Sequence, residues 1–291
     1  MLLCVFAACS FAAMVVFAKL AYAAGVETTT LLTVRFALGA SLLGAVAARR
    51  GLMRVGWRDL LAVLAMGSTV YSAETGLVFA SLERIGASMT ELLIFSYPAV
   101  VMLAAVGLGR ESFSVRRTVA LAVASAGVVL VLAGGDAGSF EPVGVSFALG
   151  AALLYAIYVL VVAGVGERVH ALALAALTCA GAAVAFAAAG AVSGRLDFGM
   201  SAAGWGWSLA VLASTVAALA AFLASIARLG PSRASILGML EPPLAVGLAF
   251  LVFGERLGPV QLAGGALVTV AAVVLQLPLG ARRARGAGRP T

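Results

Sequence analysis

Histidine, cysteine and nucleotide-binding motifs are rare or missing in this sequence, and their absence excludes several classes of function. The single histidine, His170, stands beside Glu167 and Arg168, with no second histidine or carboxylate cluster at the spacing of a metal site. The three cysteines have no metal or redox spacing. No glycine-rich loop followed by Lys-Ser or Lys-Thr is present, so the sequence predicts no ATP-driven process for this chain by itself. With no Ser/His/Asp set either, the sequence predicts no enzyme and no cofactor.

Charged residues are also scarce, at 11% of the chain, whereas hydrophobic residues make up 63% and the mean hydropathy is +1.13. A soluble globular domain contains about a quarter charged residues and roughly half apolar ones. The apolar residues here form near-continuous runs of membrane-spanning length, which a soluble fold of 291 residues does not need. The sequence therefore predicts an all-α integral membrane protein.

The net charge of +7 indicates contact with membrane lipid rather than with nucleic acid. The arginines gather in short loops and at the C-terminus, and no basic stretch carries interleaved aromatic residues. The first apolar run has no basic segment before it, so we interpret it as a first membrane span rather than a cleaved signal peptide.

Breaks rich in Gly, Pro, Ser and charge divide the chain into ten predicted transmembrane helices. The helices are expected at 2–24, 31–48, 59–80, 87–107, 116–133, 143–164, 171–191, 204–226, 233–253 and 259–278, followed by a basic cytoplasmic tail at 280–291. With the N-terminus inside, fourteen arginines fall on cytoplasmic segments, and only Arg84, Arg195 and Arg256 fall on the opposite side. This bias predicts that both termini are cytoplasmic.

The two halves of the chain repeat each other at an offset of 144 residues. The matched segments are Arg84-Ile-Gly-Ala-Ser88 with Arg228-Leu-Gly-Pro-Ser232, Pro98 with Pro242, and Glu111 with Glu255. Two five-helix repeats are therefore expected, at 1–135 and 142–279. Because each half holds an odd number of spans, the second half would enter the membrane inverted relative to the first. Inverted repeats with a site at their interface recur in secondary transporters.

Short motifs occupy the same places in both halves. They read Ile85-Gly86-Ala87-Ser88, Tyr97-Pro98 and Gly109-Arg110-Glu111 in the first half, and Leu229-Gly230-Pro231-Ser232, Glu241-Pro242 and Gly254-Glu255 in the second. On these motifs, and on Arg35 in the second span, the chain resembles the EamA-type branch of the drug/metabolite transporter superfamily. A tryptophan that many members carry in the first span is absent. The resemblance implies two inverted five-helix halves around a central cavity, lined by the first, third and fourth helices of each half. A narrower similarity to YddG-like aromatic amino acid exporters implies amino acid export.

Each ionisable residue within a predicted span calls for a structural or functional explanation, because an unpaired charge there costs about 2.5–3.5 kcal/mol on insertion scales. The candidates are Lys19, Arg35, Glu74, Glu91 and Glu241. Glu241 precedes Pro242 and Pro243 in mid-span, where proline frees backbone carbonyls and favours a cavity, so it is the main candidate for an ammonium or proton site. Glu74 is expected to line the same cavity. Glu91 lies one turn into the fourth helix, where either a cavity position or a structural role at the helix dipole is open.

The two cations also leave alternatives open. Lys19, near the outer end of the first helix, either extends to the membrane interface or holds a substrate carboxylate in the cavity. Arg35 is interpreted as a structural residue that bonds to backbone carbonyls or to a neighbouring carboxylate between helices.

Tyrosines supply the remaining candidate positions. Tyr71 lies three residues before Glu74 on the same helix face, Tyr155 and Tyr158 share a face of the sixth helix, and Tyr97 precedes the break expected at Pro98. Tyr71 is expected to line the cavity with Glu74. Tyr97, Tyr155 and Tyr158 either pack in the core with hydroxyls bonded across helices, or line a site for a ligand with an apolar body and a polar head.

Together these features predict a secondary transporter that exports amino acids, aromatic or other neutral ones, and related small metabolites across a bacterial inner membrane by alternating access. In this hypothesis Glu241 and Glu74 bind the α-ammonium, Lys19 binds the α-carboxylate, and the tyrosines contact the hydrophobic body. A multidrug exporter of cationic compounds is an alternative that would not need Lys19, and a non-transporting membrane scaffold is another. Proton coupling and facilitated movement both stay open, as does a homodimer through small residues at four-residue spacing such as Ala40 and Gly44.

Overall fold

The computed structural model describes residues 2–107, 115–133, 141–166, 168–229 and 237–276, and all regular structure within these ranges is helical. The first half contains α1 (Leu2–Ala23), α2 (Thr28–Arg49), α3 (Trp57–Met66), a π-helical turn (Gly67–Tyr71), α4 (Ser72–Arg84), α5 (Ala87–Ile94), α6 (Tyr97–Gly107) and α7 (Val115–Ala133). The second half contains α8 (Pro142–Gly166), α9 (Ala171–Ser193), α10 (Ala202–Leu229), α11 (Glu241–Phe253) and α12 (Pro259–Gln276). Glu111, the motif at 230–232 and the tail at 280–291 lie outside the described residues.

Among the described residues, six helical stretches are long and apolar enough to cross a membrane. They are Leu2–Ala23, Thr28–Arg49, Trp57–Arg84, Pro142–Gly166, Ala171–Ser193 and Ala202–Phe222. Shorter apolar stretches occupy the other four predicted positions, at Ala87–Val101, Thr118–Val131, Glu241–Phe253 and Pro259–Val274. A bilayer core is crossed by about 20 helical residues, so the six longer stretches meet this requirement unaided.

The last two helices of the two halves begin at corresponding positions. Tyr97 starts α6 and Glu241 starts α11, 144 residues later, and the same offset separates Val115 at the start of α7 from Pro259 at the start of α12. The extensive helix pairings also correspond, since α1 packs on α10 as α8 packs on α4, while α2 pairs with α9 and α7 with α12. Exchanging the two halves therefore leaves this set of contacts unchanged.

The pairing of α7 with α12 depends on two glycines. A Cβ atom added at Gly127 would lie 2.7 Å from the carbonyl oxygen of Gly264, and one added at Gly264 would lie 2.6 Å from that of Gly127. Small residues allow membrane helices to approach at backbone distance, where van der Waals contact holds them together. Neither helix contributes a described residue to the cavity characterised below, so both brace the bundle.

The main hydrophobic core lies where α1, α2, α4, α9 and α10 meet. Phe36 of α2 and Phe79 of α4 are among the largest fully buried side chains, and Phe36 stacks on Phe186 of α9 at a ring-centroid distance of 5.7 Å. Each such ring buries a large apolar area and favours a fixed packing geometry. Phe36 and Phe79 also line the cavity described below, so this core forms part of the cavity wall.

Candidate functional site: a cavity lined by carboxylates, tyrosines and one arginine

A cavity of about 410 Å³ lies between the two halves of the chain. Its volume falls in the range of about 300–1,000 Å³ that small-molecule sites occupy. Described residues of both halves line it, from α1, α2, the π-helical turn, α4, α5 and α6 on one side and from α8, α9, α10 and the start of α11 on the other. On α1 the lining extends from Cys4 to Val15.

Three glutamates face this cavity. Glu74 of α4 and Glu91 of α5 are buried, with 7% and 5% of their surface exposed, and Glu241 stands at the first position of α11. Glu91 lies within electrostatic range of both Glu74 and Glu241. The Thr75 hydroxyl donates a hydrogen bond of 2.9 Å to the Glu74 carboxylate. The structure therefore brings together three carboxylates that are distant in sequence, and together they attract a cation.

Tyrosine rings form a continuous wall along the same cavity. Tyr97 packs edge-on against Tyr155 at 4.7 Å between ring centroids, Tyr155 stacks on Tyr158 at 6.1 Å, and Tyr158 contacts Tyr71 at 5.0 Å. The Tyr158 hydroxyl lies 3.3 Å from the Thr178 hydroxyl. Within the described part of the chain, the hydroxyls of Tyr71, Tyr97 and Tyr155 have no hydrogen-bond partner, so they can bond to a ligand.

Breaks in two helices place Tyr97 and Glu241 at the cavity. The chain turns at Phe95–Ser96 between α5 and α6, and turns again at Met239–Leu240 before α11. The prolines beyond these turns cannot donate a backbone hydrogen bond, and Pro242 and Pro243 stand in the first turn of α11, where that donor is not needed. Pro242 is buried and Pro243 is exposed, while the side chain of Pro98 lies outside the described part. Each half thus presents a cavity residue at the start of a half-helix.

A π-helical turn at Gly67–Tyr71 interrupts the third span and ends at Tyr71. Such turns are uncommon and often occur at functional sites. The apolar run predicts one uninterrupted helix at 59–80, and that prediction misses the turn. The adjacent Gly67 and Ser68 are the available signal, because Gly/Ser pairs are among the known causes of helix irregularity. Tyr71 then packs edge-on against Phe36 at 5.7 Å, which orients its ring.

Arg35 is the only cationic side chain among the described lining residues. Only 5% of its surface is exposed, and its guanidinium lies over the rings of Phe36 and Phe79, at 4.9 Å and 5.4 Å from their centroids. Its Nε and Nη1 atoms have no hydrogen-bond acceptor in the described part of the protein. The structural role predicted from the sequence would use backbone carbonyls or a carboxylate as acceptors, and the described residues supply none to these two atoms.

Lys19 lies outside the cavity lining, one turn beyond Val15 on α1. Its Nζ atom is 2.7 Å from Oε1 of Glu255, and it stands over the Phe253 ring at 5.1 Å from the centroid. The structure therefore does not bring Lys19 to the glutamates and tyrosines with which the sequence grouped it. The reason is that Lys19 pairs with a carboxylate 236 residues away in the sequence. Sequence spacing does not reveal that the turn which carries this carboxylate lies next to α1.

The Glu255 carboxylate also accepts hydrogen bonds from groups other than Lys19. Its carboxylate accepts hydrogen bonds of 3.0 Å from the backbone amides of Ala87 and Ser88, in the first turn of α5. Gly254 adopts a left-handed conformation, with φ at +68°, which ends α11 and turns the chain toward α5. Burial by itself would raise the pKa of Glu255, but the hydrogen bonds from Lys19 and from the two amides outweigh it, so the pKa lies below its ordinary value.

Comparisons with known proteins agree with this architecture. The sequence profile of the EamA-like transporter family matches residues 1–133 and 142–277. A protein of Bacillus subtilis (strain 168) named "Uncharacterized transporter YcbK" is 29% identical over 195 residues, which cover 64% of this chain and 62% of that protein. The match thus spans less than two thirds of the relative's length. A solved crystal structure superposes on this chain with a TM-score of 0.67 at 20% sequence identity. The superposition covers 94% of each chain, so the two proteins share a fold.

Proposed function

Because the chain belongs to the EamA-like transporter family and is a membrane transporter rather than an enzyme, we propose that it exports amino acids, aromatic or other neutral ones, and related small metabolites across the bacterial inner membrane. The observation that carries this proposal is the composition of the cavity wall. Glu74, Glu91 and Glu241 suit an ammonium group, the tyrosines suit an apolar or aromatic body, and Arg35 supplies the opposite charge. A zwitterion with a hydrophobic side chain satisfies all three at once.

Alternating access is the proposed mechanism, with ten spans in two inverted halves at 1–135 and 142–279 that rock against each other around the cavity. The correspondence of helix pairings under exchange of the halves supports this arrangement. The contact of Lys19 with Glu255 lies one turn beyond the α1 lining and joins residues of opposite halves. With both termini cytoplasmic, this contact closes the outer end of the cavity, and it must break when the cavity opens outward.

Proton coupling is compatible with the cavity but is not required by it. Glu91 lies in electrostatic range of two further carboxylates, and like charges held together in an apolar protein favour the uptake of a proton. A bound substrate ammonium would balance the same charge. Antiport of protons and facilitated movement therefore differ in whether a pH gradient accelerates the flux.

Export of cationic drugs is the second candidate, favoured by the excess of carboxylates over cations in the wall. The described lining residues include three glutamates and one arginine, and the aromatic wall suits a lipophilic cation. Such a substrate would need neither Arg35 nor any other carboxylate-binding group.

The test is uptake and efflux in liposomes that hold only the purified protein, with protein-free liposomes as the control. Labelled phenylalanine, tryptophan, threonine and the lipophilic cation tetraphenylphosphonium are compared with and without a pH gradient. We expect saturable flux of amino acids, and its acceleration by the gradient would add proton coupling. Movement of the cation alone would favour the drug exporter, and the absence of any flux would contradict transport of either class.

A further inference from the structure

We propose that Arg35 is the residue that binds the carboxylate of the substrate, and that it thereby restricts efficient transport to molecules with an acid group. This inference rests on the proposed function, because it takes the cavity as the transport site. Arg35 thus takes the role that the sequence suggested for Lys19. The substrate class becomes amino acids and other carboxylate-bearing metabolites rather than amines in general.

The burial and bonding of Arg35 carry the argument. Its side chain is 5% exposed and lines the cavity, yet Nε and Nη1 donate to no acceptor in the described part of the chain. A guanidinium carries five N–H donors in a planar fork that matches a carboxylate. Buried donors without partners are costly, and a charged donor is more costly than a neutral one. A group that enters the cavity with negative charge would relieve that cost.

A purely structural role leaves these donors unexplained. An arginine that braces neighbouring helices donates to backbone carbonyls or to a carboxylate, as Arg84 does to Glu141 at 3.0 Å. The described residues provide no ion pair of that kind for Arg35, although Glu74 lies in its electrostatic range. The rings of Phe36 and Phe79 hold the guanidinium by contact with its face, which leaves the N–H groups at its edge to a ligand.

The surroundings of Arg35 also fit the rest of an amino acid. An α-amino acid carries its ammonium and carboxylate on one carbon, so its site needs a cation and an anion near each other. Arg35 and Glu74 supply these charges from adjacent parts of the wall. Phe36, the next residue after Arg35, contacts Tyr71, and Tyr71 continues into the tyrosine wall through Tyr158. A side chain that leaves the charged end would therefore lie along aromatic rings.

The experiment compares phenylalanine with phenylalaninamide, which keeps the ammonium and the ring but lacks the carboxylate. The ratio of kcat/KM for the two substrates is measured in liposomes for the wild-type protein, Arg35→Gln and Arg35→Lys. The ratio does not depend on how much of each variant is folded. Arg49→Gln, an exposed arginine on the same helix, is the matched control.

We expect the wild-type protein and Arg49→Gln to favour phenylalanine, and Arg35→Gln to lose that preference about tenfold to a hundredfold, as the loss of a charged hydrogen bond predicts. Arg35→Lys should keep part of it, because the charge remains while the fork is lost. If Arg35→Gln does not fold, Arg35→Lys decides between the outcomes. A variant that transports phenylalanine with the wild-type preference would overturn the role of Arg35 and leave the proposed function standing. Wild-type liposomes that move neither compound would overturn both.

Discussion

Two charged regions lie within the helical bundle, and they differ in whether their charges have partners inside the protein. At one, Lys19 and Glu255 neutralise each other, and Glu255 accepts two further hydrogen bonds from the start of α5. At the other, Arg35 and three glutamates line the cavity, and no described contact pairs the guanidinium with a carboxylate. Removing one member of a paired set leaves a costly charge behind, whereas an unpaired charge already bears that cost. The first region is therefore expected to serve stability and closure, and the second to serve binding.

Neutralising a cavity carboxylate is expected to have the largest effect on transport. We expect Glu241→Gln to lower the initial rate of amino acid efflux about tenfold to a hundredfold, because a hydrogen bond to a charged group contributes about 1.5–3 kcal/mol. The measurement is efflux from liposomes with equal amounts of incorporated protein. The melting temperature should not fall, since Glu241 has no ion-pair partner among the described residues.

Glu27→Gln is the matched control for this prediction, because it makes the same chemical change at an exposed position outside the cavity lining. It should leave both the initial rate of efflux and the melting temperature unchanged. A Glu241→Gln variant that inserts normally and exports at the wild-type rate would remove Glu241 from the proposed site.

Separating the pair of Lys19 with Glu255 is expected to have an intermediate effect, on stability. The two side chains are 26% and 18% exposed, so their interaction is less screened than that of a surface pair. A double-mutant cycle of Lys19→Gln and Glu255→Gln should show a coupling free energy of about 1 kcal/mol in thermal unfolding. Glu255→Gln by itself should cost more than Lys19→Gln, because it also weakens the cap on α5. Additive effects of the two substitutions would show that the contact contributes no stability.

Lowering the pH provides an independent control of the same contact. The pKa of Glu255 lies below its ordinary value in the folded protein, so the unfolded chain takes up the proton first as the pH falls. The stabilisation is complete above the ordinary pKa and is lost as the pH falls through the folded pKa. The difference in melting temperature between the wild-type protein and Glu255→Gln should therefore be constant near neutral pH and shrink in acid. A difference that grows in acid would contradict the assigned sign.

The smallest expected effect extends the comparison to neutral polar groups. The Tyr158 hydroxyl is bonded to Thr178, whereas that of Tyr155 has no partner among the described residues. Tyr158→Phe should lower the free energy of unfolding by about 1 kcal/mol, as the loss of one hydrogen bond predicts. Tyr155→Phe should leave unfolding unchanged and raise the KM of the substrate a few-fold. The two variants are compared in thermal melts and liposome flux, and equal behaviour in both assays would contradict the distinction between them.

Local patterns in the sequence anticipated much of this molecule. The helices follow the predicted apolar runs, and α7 and α12 begin at Val115 and Pro259, within one residue of the predicted starts. The family was recognised from motifs around Gly86, Pro98 and Gly254, and the profile match confirms that resemblance. Glu74, Glu91 and Glu241 were singled out because a carboxylate in an apolar run is costly, and the structure places all three at the cavity. Their role in binding stays a prediction.

Local sequence did not reveal which distant residues contact each other in the fold. Lys19 and Arg35 both appeared as single cations in apolar helices, and local sequence offered no means to tell which one has a carboxylate beside it. The partner of Lys19 is 236 residues away, at a turn that Gly254 directs onto α5. The π-helical turn before Ser72 was missed for a related reason, because its hydrogen bonds differ from those of an α-helix without a change in hydropathy.

The sequence by itself determined that this chain is an all-helical membrane protein of two related halves. Hydropathy and helix breaks are visible in short stretches of chain, and the repeat is visible in residues matched at a fixed offset. Only the tertiary structure decided which charges are satisfied within the protein and which face the cavity. A charge costs several kcal/mol in an apolar bundle unless a partner approaches within a few ångströms. That approach is set by the packing of helices that are far apart in sequence. The fold therefore determines that Lys19 pairs with Glu255, whereas Arg35 and the three glutamates line the cavity.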